Sequence, residues 1–491
     1  MNVLLVYPTT PDTFWSFRHA LRLASKRAAF PPLGLLTIAA LLPREWTVRL
    51  VDLNVEHLTD ESLRWADYVL LSAMLVQRAS VDQIVARCNA IGTPIIAGGP
   101  LFTTSHASFP AIGHFVLGEA EDVMPELVRD MQAGSLRPLY QAAGRPNITR
   151  LPPPRWDLIQ LGHYQAMCVQ FSRGCPFDCE FCDIVVMNGR IPRTKTPPQL
   201  LAELEALRER GWEEGVFIVD DNFIGNRRET KALLRAMTSW RESTGSRMSF
   251  MTEASANLAD DAELMSLMVS AGFRKVFVGL ETPAPESLVE CNKLHNSRRD
   301  LVQTVRTIQR TGIQVMGGFI VGFDSDPRDI FARQFELIQR SGIATAMVGL
   351  LTALPDTRLY QRLMREGRIE TESAGNNTGA TLNFRPKLDR EFLLAGYREL
   401  MRRLYEPAVY ARRVRVFLSN YRPQRGFVMP STSDLKALVR SLWWLGVWHR
   451  GRWAYWRLFW STLLLRPRHF PCAIELLIQG YHLRRVAAAL Q

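Results

Sequence analysis

Short apolar runs alternate with helical patterns twice along this chain, and the alternation limits the fold more than any other feature. In roughly the first 130 residues, NVLLVYP, TVRLVDLN, YVLLSAM, TPIIAGGP and HFVLGEA read as strands. LGLLTIAALL, SVDQIVARCNAI and EDVMPELVRDM have helical spacing. Such alternation predicts a parallel, doubly wound (Rossmann-like) α/β sheet with its ligand at the carboxyl ends of the strands. From Cys168 to about Leu354 the pattern restarts with CVQFSRG, GVFIVDDN, MSFMTEAS, KVFVGLET, QVMGGFIVGF and TAMVGLLTALP. Five helical segments separate these six strands, among them PPQLLAELEALRERG and SRRDLVQTVRTIQRTG, each ending near Gly or a polar turn. Six consecutive β/α units predict a partial barrel with its chemistry at the carboxyl ends of the strands. After about Asp389 the pattern is helical: REFLLAGYRELMRRLYEP, SDLKALVRSLWWLGVW and AYWRLFWSTLLL. The expected division is therefore an α/β domain over 1–145, a turn-rich linker over 146–164, a barrel over 165–385 and a helical domain over 386–491.

A chain of 491 residues is too long for one ordinary core, and 47% hydrophobic with 22% charged residues is a composition that folds. The start, MNVLLVYPTTPDTFW, has no basic region or small-residue cleavage site and reads as a first strand, not a signal peptide. Four of the seven cysteines are scattered, and the other three stand too close together for a disulfide framework, which implies a reducing, cytoplasmic setting. Of the formal charge of +12, the stretch Ser431 to Gln491 contributes nine Lys/Arg against Asp434 and Glu475. A uniformly basic nucleic-acid binder is not the natural reading, and no nucleic acid is expected.

The three clustered cysteines lie in RGCPFDCEFCD as Cys175, Cys179 and Cys182, a C-x3-C-x2-C spacing. Structural zinc wants four ligands, and the nearest histidine, His163, precedes the loop. Three thiolates can instead hold three irons of a cuboidal 4Fe-4S cluster and leave the fourth open.

This spacing, with Phe181 before the third cysteine and six β/α units behind it, resembles the radical S-adenosylmethionine superfamily over about residues 165 to 360. The resemblance implies that the open iron chelates S-adenosylmethionine and that one electron cleaves it to a 5′-deoxyadenosyl radical. It places S-adenosylmethionine near Asp220, Asp221, Asn222, Glu253, Ser255 and Glu281, with Gly317, Gly318 and Gly322 against its adenine or methionine. The same acids could instead cap the following helices. The resemblance singles out no catalytic acid or base.

An α/β unit ahead of such a barrel is similar to the cobalamin-binding branch of the superfamily. Ser72-Ala73-Met74, Gly98-Gly99 and GEAED from Gly118 and Glu119 to Asp122 stand where that branch binds its corrin. No D-x-H-x-x-G occurs and His57 is out of place, so no histidine ligand to cobalt is implied. A transfer-RNA methylthiotransferase would need three front-domain cysteines; residues 1 to 150 hold only Cys88. The branch implies methylation at an unactivated carbon, with methylcobalamin delivering the methyl group and a second S-adenosylmethionine restoring it. Cyclisation or rearrangement is the alternative chemistry, and a cobalamin sensor the alternative outside catalysis.

LTALPDTRLY and GYRELMRRLYEP resemble the part of this branch that includes hopanoid C-2 methylases, which implies a small-molecule or lipid substrate and an electron donor such as flavodoxin or ferredoxin. Leu442 to Leu465 is rich in Trp, Phe and Leu but broken by Arg450, Arg452 and Arg457, so it does not read as a spanning helix. It fits either a peripheral contact with an anionic membrane or an aromatic core that pins the tail to the barrel.

Overall fold

The structure is a computed structural model that describes residues 1–423 and 432–490; Ser431 and Gln491, the ends of the basic tail, lie outside the described residues. The front unit is a six-stranded, wholly parallel sheet of β1 (Asn2–Tyr7), β2 (Thr47–Asp52), β3 (Tyr68–Ser72), β4 (Ile95–Gly98), β5 (His114–Leu117) and β6 (Leu139–Gln141), in the order β2-β1-β3-β4-β5-β6. Val3 to Val6 are fully buried, as expected of a parallel strand covered by helices on both faces. Strand β6 was not expected from the sequence. It is three residues long, and Leu139 is exposed, so it carries no hydrophobic signal of its own.

The second unit opens with β7 (Ala166–Val169), followed by a hairpin of β8 (Ser172–Arg173) and β9 (Arg193–Thr194). Its sheet continues through β10 (Gly215–Ile218), β11 (Ser249–Ala254), β12 (Phe273–Glu281), β13 (Gln314–Val321) and β14 (Ala346–Leu350). The order β14-β13-β12-β11-β10-β7, parallel throughout and unclosed, is the expected partial barrel. The segment read as one strand, CVQFSRG, is divided: the barrel strand stops at Val169, and Ser172 and Arg173 pair with Thr194 and Arg193.

The five expected helices all form, over Pro197–Glu209, Arg227–Thr244, Ala262–Ala271, Leu301–Arg310 and Ile330–Ser341. Thr196, Asn226, Asp261 and Asp300 cap the first four by accepting backbone N–H bonds. None of the acids assigned to S-adenosylmethionine does this. Ser255 precedes a short 3-10 turn but makes no capping bond to it.

Both open edges of the barrel sheet are covered, as unpaired edges in a folded chain need to be. The backbone N–H groups of Gln165 and Ala166 donate to the carbonyls of Ala28 and Ala29, bringing the N-terminal segment along β7. At β14, the hydroxyls of Tyr397 and Tyr405 donate to the outward carbonyls of Val348 and Ala346. The chain ends in helices, including Arg390–Leu404, Pro407–Asn420, Thr432–Trp443, Arg452–Leu465 and Phe470–Ala488.

Candidate functional site

Cys175, Cys179 and Cys182 lie half-buried in the loop between β8 and β9 as free thiols. The backbone of Gly174 fixes where this loop starts. Gly174 has φ +98, and an added Cβ would stand 2.9 Å from the carbonyl of Gly189, so no other residue fits without strain. Its N–H donates to Asp221 Oδ2 at 2.7 Å, and Asn188 Nδ2 donates to the same oxygen at 2.9 Å. Asp220 holds the preceding turn: Oδ1 accepts from the Phe171 N–H, and Oδ2 from both the N–H and hydroxyl of Ser172, at 2.6–2.8 Å. Burial pushes the Asp220 carboxyl up to about 7, with those donors working the other way. Asp220 and Asp221 thus spend their oxygens on the cysteine loop.

Asn222 bridges outward from there. Its Nδ2 lies 3.8 Å from Cys175 Sγ and 3.3 Å from Ser255 Oγ, and its Oδ1 accepts from the Ser255 N–H. On the other side of the loop, the Glu180 N–H donates to the carbonyl of Cys291, and Asn292 donates to that of Asp178. Phe177 stacks on His295 with ring centroids 3.8 Å apart. Phe181, just before the third cysteine, packs beside Phe323.

Burial raises all three thiols, Cys179 to about 11, and the ammonium of Lys293 pulls that one back down. Among the described residues no three His, Cys, Asp or Glu side chains converge on a site for one ion. Thiolates that each bind a different iron stand farther apart than the ligands of a single ion, so this donor set fits a cuboidal cluster with one iron left open.

The lumen of the barrel follows from strand register. Val276, Val278 and Leu280 are fully buried under the helices, so Phe277, Gly279 and Glu281 face inward. Glu253 pairs in register with Phe277, and Gly279 with Gly318, which puts all five residues on one wall. Glu281 sits at φ +64 in a buried ion pair with Lys293. An added Cβ on Gly318 would stand 2.9 Å from the Phe277 ring, whereas one on Gly317 would meet Phe319 and Ile343 on the helix side. Gly322, at φ +107, ends β13 and donates its N–H to Asp326 Oδ2. Trp15, from the N-terminal segment, completes the wall, 5.1 Å from Phe277 and stacked on Phe217.

Among the described residues the Glu253 carboxyl has no hydrogen-bond or ion-pair partner. Burial, and secondarily the charge of Asp221, push it up to about 8. A carboxyl raised on folding contributes stability that is fully present below the ordinary value of 4.5 and is lost as pH rises through about 8. Glu253→Gln, which keeps the neutral shape, should therefore gain stability over the parent chain by about 1.4 kcal/mol per pH unit within that window. Urea unfolding of both proteins without cofactors at about pH 5.5 and about pH 7.5 checks this; a gap that stays constant contradicts it.

In the front unit, Ser72, Gly98 and Gly118 lie at the carboxyl ends of β3, β4 and β5, with Gly99 next to Gly98. Gly99, at φ +91, would place a Cβ 2.6 Å from Ser72 Oγ, and an added Cβ on Gly118 would meet open space. The edge is thus a flat backbone shelf, which suits a broad planar group. His57 is exposed on the loop after β2.

Glu119, assigned from sequence to cobalamin, points its carboxylate across to the barrel unit. It pairs with Arg173 at 2.6 Å and with Arg193 at 2.5 Å, and Glu121 pairs with Arg173 at 2.6 Å. The latch joins the shelf to the residue directly before Gly174 and Cys175. Arg193 and Lys293 were not found by sequence reasoning, whereas Glu121 stood within the GEAED motif. Arg173 had a visible signal in its place two residues before Cys175.

Comparison with known proteins follows the same division. The B12 binding domain model matches residues 21–128, the radical SAM superfamily model matches 169–338, and a domain of unknown function matches 357–491. An uncharacterized methyltransferase of Synechocystis sp. is 41% identical over 488 residues, covering 98% of this chain and 91% of its own. The hopanoid C-2 methylase of Rhodopseudomonas palustris is 36% identical over 417 residues, covering 84% of this chain and 78% of its own. The radical S-adenosylmethionine methyltransferase TsrM of Kitasatospora setae, solved with cobalamin and a [4Fe-4S] cluster, superposes over all of both chains with a TM-score of 0.63 at 16% identity.

Proposed function

We propose, for a chain that belongs to the cobalamin-dependent radical S-adenosylmethionine methyltransferases, that it methylates an unactivated carbon of a polycyclic lipid of the hopanoid class. The observation that carries this reading is the latch from Glu119 and Glu121 to Arg173, which ties the loop after the glycine shelf to the residue that precedes the cysteine loop. The lipid class rests on the likeness to the hopanoid C-2 methylase.

Bound together, the cluster, S-adenosylmethionine and cobalamin supply hydrogen-atom abstraction and a transferable methyl group. Cys175, Cys179 and Cys182 would hold three irons. Asp220 and Asp221 fix the loop that carries them, and Asn222 ties it to Ser255. Glu253, Glu281 and Gly318 would line the S-adenosylmethionine site, the unpartnered Glu253 carboxyl offering a hydrogen bond. Gly317 and Gly322 shape β13 from behind and at its end. Ser72, Gly98, Gly99 and Gly118 would carry the corrin or its nucleotide tail. Trp15, Phe217 and Phe277 line the lumen with apolar rings. A low-potential donor such as flavodoxin or ferredoxin would supply the electron.

Anaerobic protein reconstituted with iron, sulfide and cobalamin is expected to transfer a deuterated methyl group from S-adenosylmethionine to a hopanoid acceptor, read by mass. Deoxyadenosine without methylated lipid would remove the lipid assignment and favour cyclisation or rearrangement. A fully loaded protein that forms no deoxyadenosine would favour a sensor.

A further inference from the structure

The tail helices satisfy both readings of their sequence, on opposite faces. Leu445, Tyr455, Phe459 and Ile474 form a small buried core, with Trp456 and Phe470 packed on it. On the outer side, Leu435, Val439 and Trp443 recur every fourth residue along Thr432–Trp443 and are 57–62% exposed. Trp444, Val447 and Trp448 continue this face through the turn that follows. On Arg452–Leu465, Trp453, Trp460 and Leu464 share one helical stripe at 77%, 51% and 70% exposed, and Leu465 is 79% exposed. Five tryptophans turned to solvent on adjoining elements are far more apolar surface than scattered exposure accounts for.

The charge around this surface selects what covers it. Lys436, Arg450, Arg452, Arg457, Arg466 and Arg468 are all exposed, against the exposed acid Asp434 in the first turn of Thr432–Trp443, while Glu475 is engaged by Lys275. A second copy docking through the same face would bring one basic ring against another, at a cost in repulsion. A bilayer bearing anionic headgroups meets both needs: tryptophan rings sit at the headgroup boundary, and arginines pair with phosphates. No helix among the described residues is long and apolar enough to cross a membrane, so such a surface would lie on it.

We propose that the outer face of Thr432–Trp443 and Arg452–Leu465 is a monotopic docking surface for anionic lipid bilayers. The assignment does not depend on the substrate being a lipid. Arg440 of the first docking helix donates to the carbonyl of Arg22 and to Ser25 at the end of helix Arg18–Ala24. His19 of that same short helix lines a cleft of about 400 Å³, together with Thr378, Thr381, Arg485 and Leu490.

Co-sedimentation of the full chain with vesicles tests this, using phosphatidylcholine alone or mixed with phosphatidylglycerol. The parent protein should bind the mixed vesicles and release as salt is raised. Arg450→Gln/Arg452→Gln/Arg457→Gln should weaken that binding by roughly a hundredfold and leave the weak affinity for phosphatidylcholine unchanged. Trp448→Ser/Trp453→Ser should weaken binding to both kinds of vesicle. Both variants change only exposed side chains, and unchanged circular dichroism and thermal midpoint confirm that they fold. Failure of the parent chain to bind mixed vesicles would overturn the proposal, as would equal binding by the tryptophan variant. A concentration-dependent dimer abolished by Trp448→Ser/Trp453→Ser would assign the face to a second copy instead. Vesicle binding is read without substrate, so a negative result here leaves the methylation assay standing, and the reverse holds too.

Discussion

Arg173→Met is expected to lower stability by about 3–5 kcal/mol and to reduce cluster and corrinoid content together. Arg173 is only 14% exposed and faces Glu119 and Glu121, which are 10% and 9% exposed. Methionine fills much of the arginine stem but leaves two carboxylates facing each other in a low-dielectric seam, with Arg193 reaching only Glu119. Breaking such a buried set from one side is costly because the remaining charge is uncompensated. Neutralising Glu121 as well, in Glu121→Gln/Arg173→Met, should recover a large part of the loss, since Glu119 keeps Arg193 as its partner and the stranded charge of Glu121 is removed. Arg155→Met supplies the contrast. Arg155 pairs with Asp157 two residues away, both well exposed, and its loss should cost no more than about 1 kcal/mol. Urea unfolding gives the stabilities; iron and corrinoid analysis after anaerobic purification gives the contents. Unchanged iron and corrinoid in a destabilised Arg173→Met would show that the latch holds the two units together without organising either site.

The alternation of strands and helices was legible because parallel strands covered on both faces are continuous apolar runs, as in Val3 to Val6 and Val276 to Leu280. The cysteine loop was legible for a different reason: its spacing is itself the ligand geometry. What stayed hidden was direction. Sequence shows acids at strand ends but not whether they turn into the lumen, as Glu253 does, or back onto the loop, as Asp220 and Asp221 do. Glu119 shows the same limit across a longer distance, since its partners Arg173 and Arg193 are 54 and 74 residues away and only docking of the two sheets brings them near. The tail was ambiguous in sequence because an amphipathic helix buries one aromatic stripe and exposes another, so a count of tryptophans cannot separate Trp456 from Trp453.

Cys179→Ala is expected to abolish the charge-transfer absorbance of the cluster and all deoxyadenosine formation while leaving corrinoid binding near the parent level. The loop itself should survive the change, because its supports are backbone groups and distant side chains. The Glu180 N–H bonds the carbonyl of Cys291, the Cys182 N–H bonds the carbonyl of Cys179, and Gly174 is held by Asp221. An alanine at 179 removes only the thiol. The glycine shelf at Gly98, Gly99 and Gly118 and the ion pairs of Arg173 are untouched, so the front unit keeps its site and its docking. The loss in turnover should exceed the roughly hundredfold that follows removal of an outer supporting contact, because two thiolates cannot hold three irons. Cys291→Ala is the internal control. Cys291 is buried beside the loop, and its Sγ faces the carbonyl of Leu288 at 3.6 Å, so its thiol should be dispensable for the cluster. If Cys291→Ala lost the absorbance and Cys179→Ala kept it, the ligand set would have to be redrawn with Cys291 in place of Cys179. If Cys179→Ala lost corrinoid as fully as iron, the two sites would be one cooperative unit, and the shelf could not be described as formed independently of the cluster loop.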